Sequence, residues 1–213
     1  MENYEIISFE EANSIRQKER LQIKYQIPEN FAIVYETKDK RILLFPATGN
    51  KVVLFPNEQN MQKTIQDIGV PIPSNNIFVK NQNLIADWEK NMNLLLATLS
   101  TSIGINLNPK IEYEHINLIS KAINMVIKGK SQEEIYENYY LTFGALVGKI
   151  ITDNIENSEW KLFKHYDINP YYIPEIELNE KRLRLFKTIL DEIGRGSIRL
   201  DNCLNRLSIK TNQ

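Results

Sequence analysis

The sequence predicts an α+β fold: an N-terminal antiparallel meander, a helical middle with a buried central helix, and a C-terminal β-hairpin plus two helices. Three observations carry this expectation. "FAIVYE", "RILLFP" and "KVVLFP" are short apolar runs separated by the turn-rich "TKDK" and "ATGN". A long helical pattern follows Ser131, apolar nearly all round. "EWKLFKHY" and "YYIPEIEL" then flank "DINP", a turn sequence between two strand-like runs.

Taken in order, Ser8 and Glu11 form a capping box that opens a charged helix to about Tyr25, with Phe9, Ala12, Ile15, Leu21 and Tyr25 apolar. Pro28 ends that pattern. The meander occupies 31–56, and Pro46 and Pro56 each close a strand because proline cannot donate to a ladder. A short helix is expected over 58–68. "GVPIPSNN" reads as a linker and "IFVK" as one more strand. Leu84, Trp88, Met92, Leu95 and Leu99 recur at helical spacing. A second helix after Pro109 turns Ile116, Ile119, Ile123 and Val126 inward and stops at Gly129.

Ser131 and Glu134 form the next capping box. At 100° per residue, Ile135, Tyr139, Phe143, Leu146 and Ile150 fall on one side of the helix. Gly144, Gly148, Ile151 and Ile155 fall opposite, and Asn138, Thr142, Lys149, Thr152 and Glu156 form a narrow polar stripe. Each glycine costs a helix about 1 kcal/mol relative to alanine. The pair is therefore expected to let a neighbouring element approach the backbone of a helix held between two layers. After the hairpin, Asn179 is expected to cap a helix to Ile193 with Leu183, Phe186, Leu190 and Ile193 inward. A last helix is expected from Ser197 through Leu207.

The 213 residues suit one compact domain or two, divided at the linker into 1–73, carrying the meander, and 74–213, the helical part. A formal net charge of −1 gives bulk electrostatics no means of recruiting nucleic acid or membrane. Asparagine is abundant, a bias that an AT-rich genome produces as readily as a structural demand. Cys203 is the single cysteine, so no internal disulfide forms, which favours a reducing compartment. The N-terminus lacks the basic and apolar segments of a signal peptide, and no apolar run reaches membrane-spanning length. The expected address is the cytoplasm.

Chemistry-bearing residues are sparse. His115, His165 and Cys203 are too few for a zinc site and lie far apart in sequence, so no metal and no cofactor are expected. His115 reads as a boundary residue of its helix and Cys203 as a core thiol. His165 could be oriented by Asp167 as a general base, which makes these two the candidate catalytic residues of an enzyme reading. The chain carries no G-x-S-x-G, Walker A or G-x-G-x-x-G pattern, and "GRGS" at 194–197 reads as a helix-to-helix turn. Acids dominate 153–180 and bases dominate from Lys181 onward, as offsetting surface charge or as faces for charged partners. Trp160, Tyr166, Tyr171 and Tyr172 cluster around the hairpin turn, and with Glu175 and Glu177 they form the candidate binding face.

The segment "FGALVGKIITDNIENSEWKLFKHYDINPYYIPEI" resembles a pattern in small bacterial α+β domains. Gly144, Gly148, Asn154, Trp160, Pro170 and Pro174 fill its places. Some such domains are similar to immunity proteins, which bind and neutralise a toxin encoded beside them. The resemblance implies a protein partner and supplies no catalytic residues. The expected function is a non-enzymatic cytosolic binding protein of immunity type that occludes a toxin through an exposed polar and aromatic face. The alternatives are a hydrolase using His165 with a nearby carboxylate, and a structural subunit of a larger assembly.

Overall fold

The structure, a computed structural model, describes residues 3–28, 31–47, 50–165 and 169–209. The chain forms two compact units, Met1–Lys80 with Lys164–Tyr172, and Asn81–Phe163 with Ile173–Gln213. The fold is α+β.

The first unit is built on a five-stranded antiparallel sheet. Its elements are β1 (Glu5–Ser8), α1 (Phe9–Glu19), β2 (Ile23–Ile27), β3 (Ala32–Glu36), β4 (Ile42–Phe45), β5 (Lys51–Phe55), α2 (Glu58–Ile68) and α3 (Ile77–Lys80). The spatial order is β1-β5-β4-β3-β2, so the meander runs across the sheet and β1 adds to its far edge. Glu36 pairs with Ile42, and Ile42 in turn with Phe55.

Both faces of the sheet are covered. On one, Ala32, Val34, Ile42, Leu44, Val53 and Phe55 pack with Met61 and Ile65 of α2. On the other, Ile7, Tyr35, Leu43, Phe45, Val52 and Leu54 pack with Ala12 and Ile15 of α1. Alternate residues of a strand point to opposite faces. A sheet covered twice therefore needs apolar residues at every position, which is why "ILLF" and "VVLF" run without a polar break.

Three expectations for this region are corrected. The helix after Ser8 ends at Glu19 rather than Tyr25, because Arg20 turns left-handed at φ 55. Ile23, Tyr25 and Ile27 alternate as an edge strand, with a bulge between Ile23 and Tyr25. "IFVK" is a short helix rather than a strand, and the Asn76 side chain accepts from Phe78 N at its start (2.9 Å).

The second unit comprises α4 (Gln82–Ala86), α5 (Trp88–Ile103), a 3-10 turn (Tyr113–His115), α6 (Ile116–Ile127), α7 (Gln132–Asn154), β6 (Ser158–His165), β7 (Tyr171–Leu178), β8 (Lys181–Leu183), α8 (Leu185–Gly194) and α9 (Leu200–Arg206). The ends of β6 and β7 nearest the hairpin turn, residues 164–165 and 171–172, group with the first unit. The strands form a sheet of order β6-β7-β8.

α7 is the core of this unit and packs against α5, α8 and α9. Its capping box is complete: Glu134 N donates to Ser131 Oγ at 3.1 Å, and Ser131 N donates to Glu134 at 2.7 Å. Phe143, Ala145, Leu146, Val147 and Ile150 are fully buried. The two glycines sit in that buried stretch, and the neighbours they admit are aromatic rings. A Cβ on Gly144 would lie 2.1 Å from Phe186 Cε1, and one on Gly148 would lie 2.0 Å from Trp160 Cζ2.

The remaining corrections fall in this unit. Asn179 caps no helix. It and Glu180 adopt φ 48 and 63 as the two central residues of a tight turn that pairs Leu178 with Lys181. α8 accordingly begins at Leu185, and its inward stripe includes Ile189 while Leu190 is exposed. α9 begins at Leu200 rather than Ser197. Thr142, placed in the polar stripe by periodicity, is buried, and so is Glu192. Pro174 lies within β7, yet the β7–β8 ladder reaches only Ile176–Leu178, so proline breaks no bond on that side.

Candidate functional site

β6 leaves α7 through Ile155 and runs antiparallel to nothing on its outer side, since it is the edge of its sheet among the described residues. Lys161 and Lys164 stand on it as exposed charges, the usual guard against strand addition. Trp160 turns inward. One end of its indole fills the notch at Gly148, and its ring meets Trp88 edge-on, with centroids 5.3 Å apart and planes at 64°. Trp88 opens α5, is 3% exposed, and also meets Phe186 edge-on. Phe186 is fixed from the other side by Tyr140, whose hydroxyl donates to Phe186 O at 2.8 Å.

Of these rings Trp88 and Trp160 line a cleft of about 410 Å³, together with Ala86, Asp87, Glu89, Lys90, Lys161 and Leu162. The Nε1–H groups of Trp88 and Trp160 are buried with no acceptor among the described residues. A buried donor left unpaired costs about 1–3 kcal/mol. Leu162 is 42% exposed beside them. Lys161 is held by Glu159 (2.8 Å) and by Glu177, and both carboxylates push the ammonium pKa upward. The cleft thus joins two indole rings, whose N–H groups are buried behind its wall, to the charged side chains of Asp87, Glu89, Lys90 and Lys161. Such a site suits recognition of a side chain or short segment, and it presents no nucleophile–base pair.

The sequence-derived candidates scatter. Trp160 and Glu177 belong to this cleft or its rim. Tyr171 is half-buried in the first unit, stacked between His165 (5.5 Å, 21°) and Phe78 (6.2 Å, 10°). Tyr172 is 40% exposed. Glu175 is 3% exposed, and its carboxylate takes the Arg182 guanidinium; burial raises its pKa, with Arg182 opposing. Tyr166 and Asp167 lie outside the described residues, so the His165–Asp167 pair has no described geometry. His115 is exposed in the 3-10 turn beside Glu114 (3.6 Å). Cys203 is fully buried, with its thiol pushed up to about 12 by desolvation. Among the described residues no group of three or more His, Cys, Asp or Glu could hold a metal ion.

Sequence reading missed Trp88. Its apolar helical spacing marked it as core, which it is. That it meets Trp160, 72 positions further along the chain, is a tertiary fact with no local signal.

No protein-family model and no curated protein matches the sequence. A crystal structure of a protein from Bacteroides thetaiotaomicron VPI-5482 aligns with 96% of this chain and 83% of its own, at 13% identity and a TM-score of 0.38. No helix among the described residues is long and apolar enough to cross a membrane.

Proposed function

We propose that this chain is a non-enzymatic cytosolic binding protein of immunity type, which neutralises a partner toxin by covering its active site. We further propose that it engages the partner at the tryptophan cleft. The observation that supports this reading is the pairing of Trp88 and Trp160 beneath an open mouth, with Leu162 exposed at its edge. Tryptophan-centred pockets with polar rims are where binding energy concentrates in protein interfaces. A partner side chain would bury apolar area on the floor, and a partner carbonyl would satisfy an indole N–H once a ring rotates. The lysines on β6 direct docking to the cleft rather than to the strand edge.

The test is a pull-down from the native host using wild-type protein and Leu162→Glu. Leu162 is exposed, so the charge leaves the fold intact. The expected result is capture of the product of a neighbouring gene by wild type, with affinity reduced about 30-fold or more in the variant, as for a hot-spot loss of about 2 kcal/mol. Undiminished capture by Leu162→Glu would exclude the cleft. A cellular phenotype abolished by His165→Ala but untouched by Leu162→Glu would favour the hydrolase alternative.

A further inference from the structure

The bases that crowd the sequence after Lys181 do not spread evenly over the surface. Four of them, Arg182, Arg184, Lys187 and Arg206, line one cleft of about 350 Å³ within the second unit, together with Leu183, Thr188, Leu207 and Ser208. Two are neutralised. Arg182 pairs with Glu175 and stacks on Phe163 (4.3 Å), and Arg206 pairs with Asp191 (2.5 Å). Arg184 and Lys187 are exposed, and no carboxylate among the described residues forms an ion pair with either, although the Glu175 carboxylate that Arg182 holds also feels the charge of Arg184.

Their position adds to the imbalance. Arg184 is the N-cap of the ten-residue α8, its side chain makes no capping hydrogen bond, and the first turn of the helix holds no acid. A helix N-terminus carries partial positive charge and favours anions there. This one instead receives two cations. A local electrostatic conflict of this kind, kept in an otherwise consistent fold, marks a place built for something else. The arrangement is complementary to an anion: a guanidinium fork at Arg184, an ammonium at Lys187, and a hydroxyl at Ser208. Leu183 and Leu207 add apolar wall that an inorganic ion cannot use.

We propose that this cleft binds the phosphate group of a small phosphorylated organic molecule, with Arg184 and Lys187 as the principal ligands. The site is separate from the tryptophan cleft and stands or falls independently of it.

Calorimetric titration with phenyl phosphate and with inorganic phosphate tests it, using wild type, the double variant Arg184→Gln/Lys187→Gln, and a charge-matched control Lys18→Gln/Lys121→Gln. Both ligand residues are exposed, so the double variant folds, which an unchanged urea midpoint verifies. Expected are saturable binding to wild type, tighter for the ester, a loss of about tenfold per cation removed in the double variant, and no change in the control. No saturable binding to wild type, or equal weakening in the control, overturns the proposal. Equal affinity for ester and inorganic ion overturns the assignment of an organic ligand.

Discussion

At the scale of single residues, the glycines of α7 pose a contest between two magnitudes. Alanine gains about 1 kcal/mol in helix propensity over glycine. Overpacking a filled core costs about 1–3 kcal/mol. The outcome turns on whether the ring opposite can move. Phe186 is 2% exposed and held by Tyr140 and Trp88, whereas Trp160 is half-buried beside an open cleft. Gly144→Ala is therefore expected to destabilise by about 1–2 kcal/mol and Gly148→Ala by less, read from urea midpoints. Cys203 gives a second residue-scale prediction. Fully buried and with its thiol pushed up to about 12, it should resist a maleimide at pH 8 in the folded protein and react once urea unfolds it. Labelling of the native protein at the rate of a free thiol would contradict this burial. The asparagines also acquire a role. Asn124 donates to Ile198 O and accepts from Ile198 N, both at 2.9 Å, and Asn169 does the same for Val70. Asn154 and Asp153 divide the task at Ile111. Each satisfies loop backbone that has no ladder partner. Composition alone revealed only that asparagine was common.

At the scale of elements, legibility followed whether the signal was local. The capping box at Ser131 and the runs of β3, β4 and β5 were plain in the sequence, because a cap or a doubly covered strand writes its requirement into adjacent residues. β2 was hidden inside an apparent helix, since Leu21 and Tyr25 sit four residues apart as on one helical face, and the alternation of Ile23, Tyr25 and Ile27 is decided only by pairing with β3. The β7–β8 hairpin was missed because Asn179 and Glu180 serve equally as a helix start or as a left-handed turn. That hairpin carries a pH dependence. Burial raises the Glu175 pKa above its ordinary 4.5. The folded state therefore prefers the neutral acid. Below the unfolded value the group imposes no penalty; as pH rises from about 4.5 through the folded value, the unfolded chain releases the proton first and stability falls. Glu175→Gln should flatten this fall and leave the protein more stable than wild type at neutral pH, measured as urea midpoints across pH. A steeper loss in the variant would mean that the ion pair with Arg182 outweighs the desolvation.

At the scale of the whole molecule, each unit has its own interior: β4 and β5, covered on both faces, in the first, and the middle of α7 in the second. Hydrogen exchange should be slowest at these places, Ile42–Phe45 and Lys51–Phe55 in one unit and 141–151 in the other, and fast along the outer strands β2 and β6. Protection of β6 equal to that of α7 would show that its outer side is covered by something else in solution.

The sequence by itself determined the α+β class, the meander, and a central helix whose glycines make room for neighbours. These follow from periodicity and from backbone chemistry, which act between residues a few positions apart. Only the tertiary structure decided which rings fill the room, that Trp88 and Trp160 share a floor, and that Arg184 and Lys187 meet Arg206 in one cleft. Those meetings join residues far apart along the chain, and no local pattern can encode a neighbour that only folding supplies.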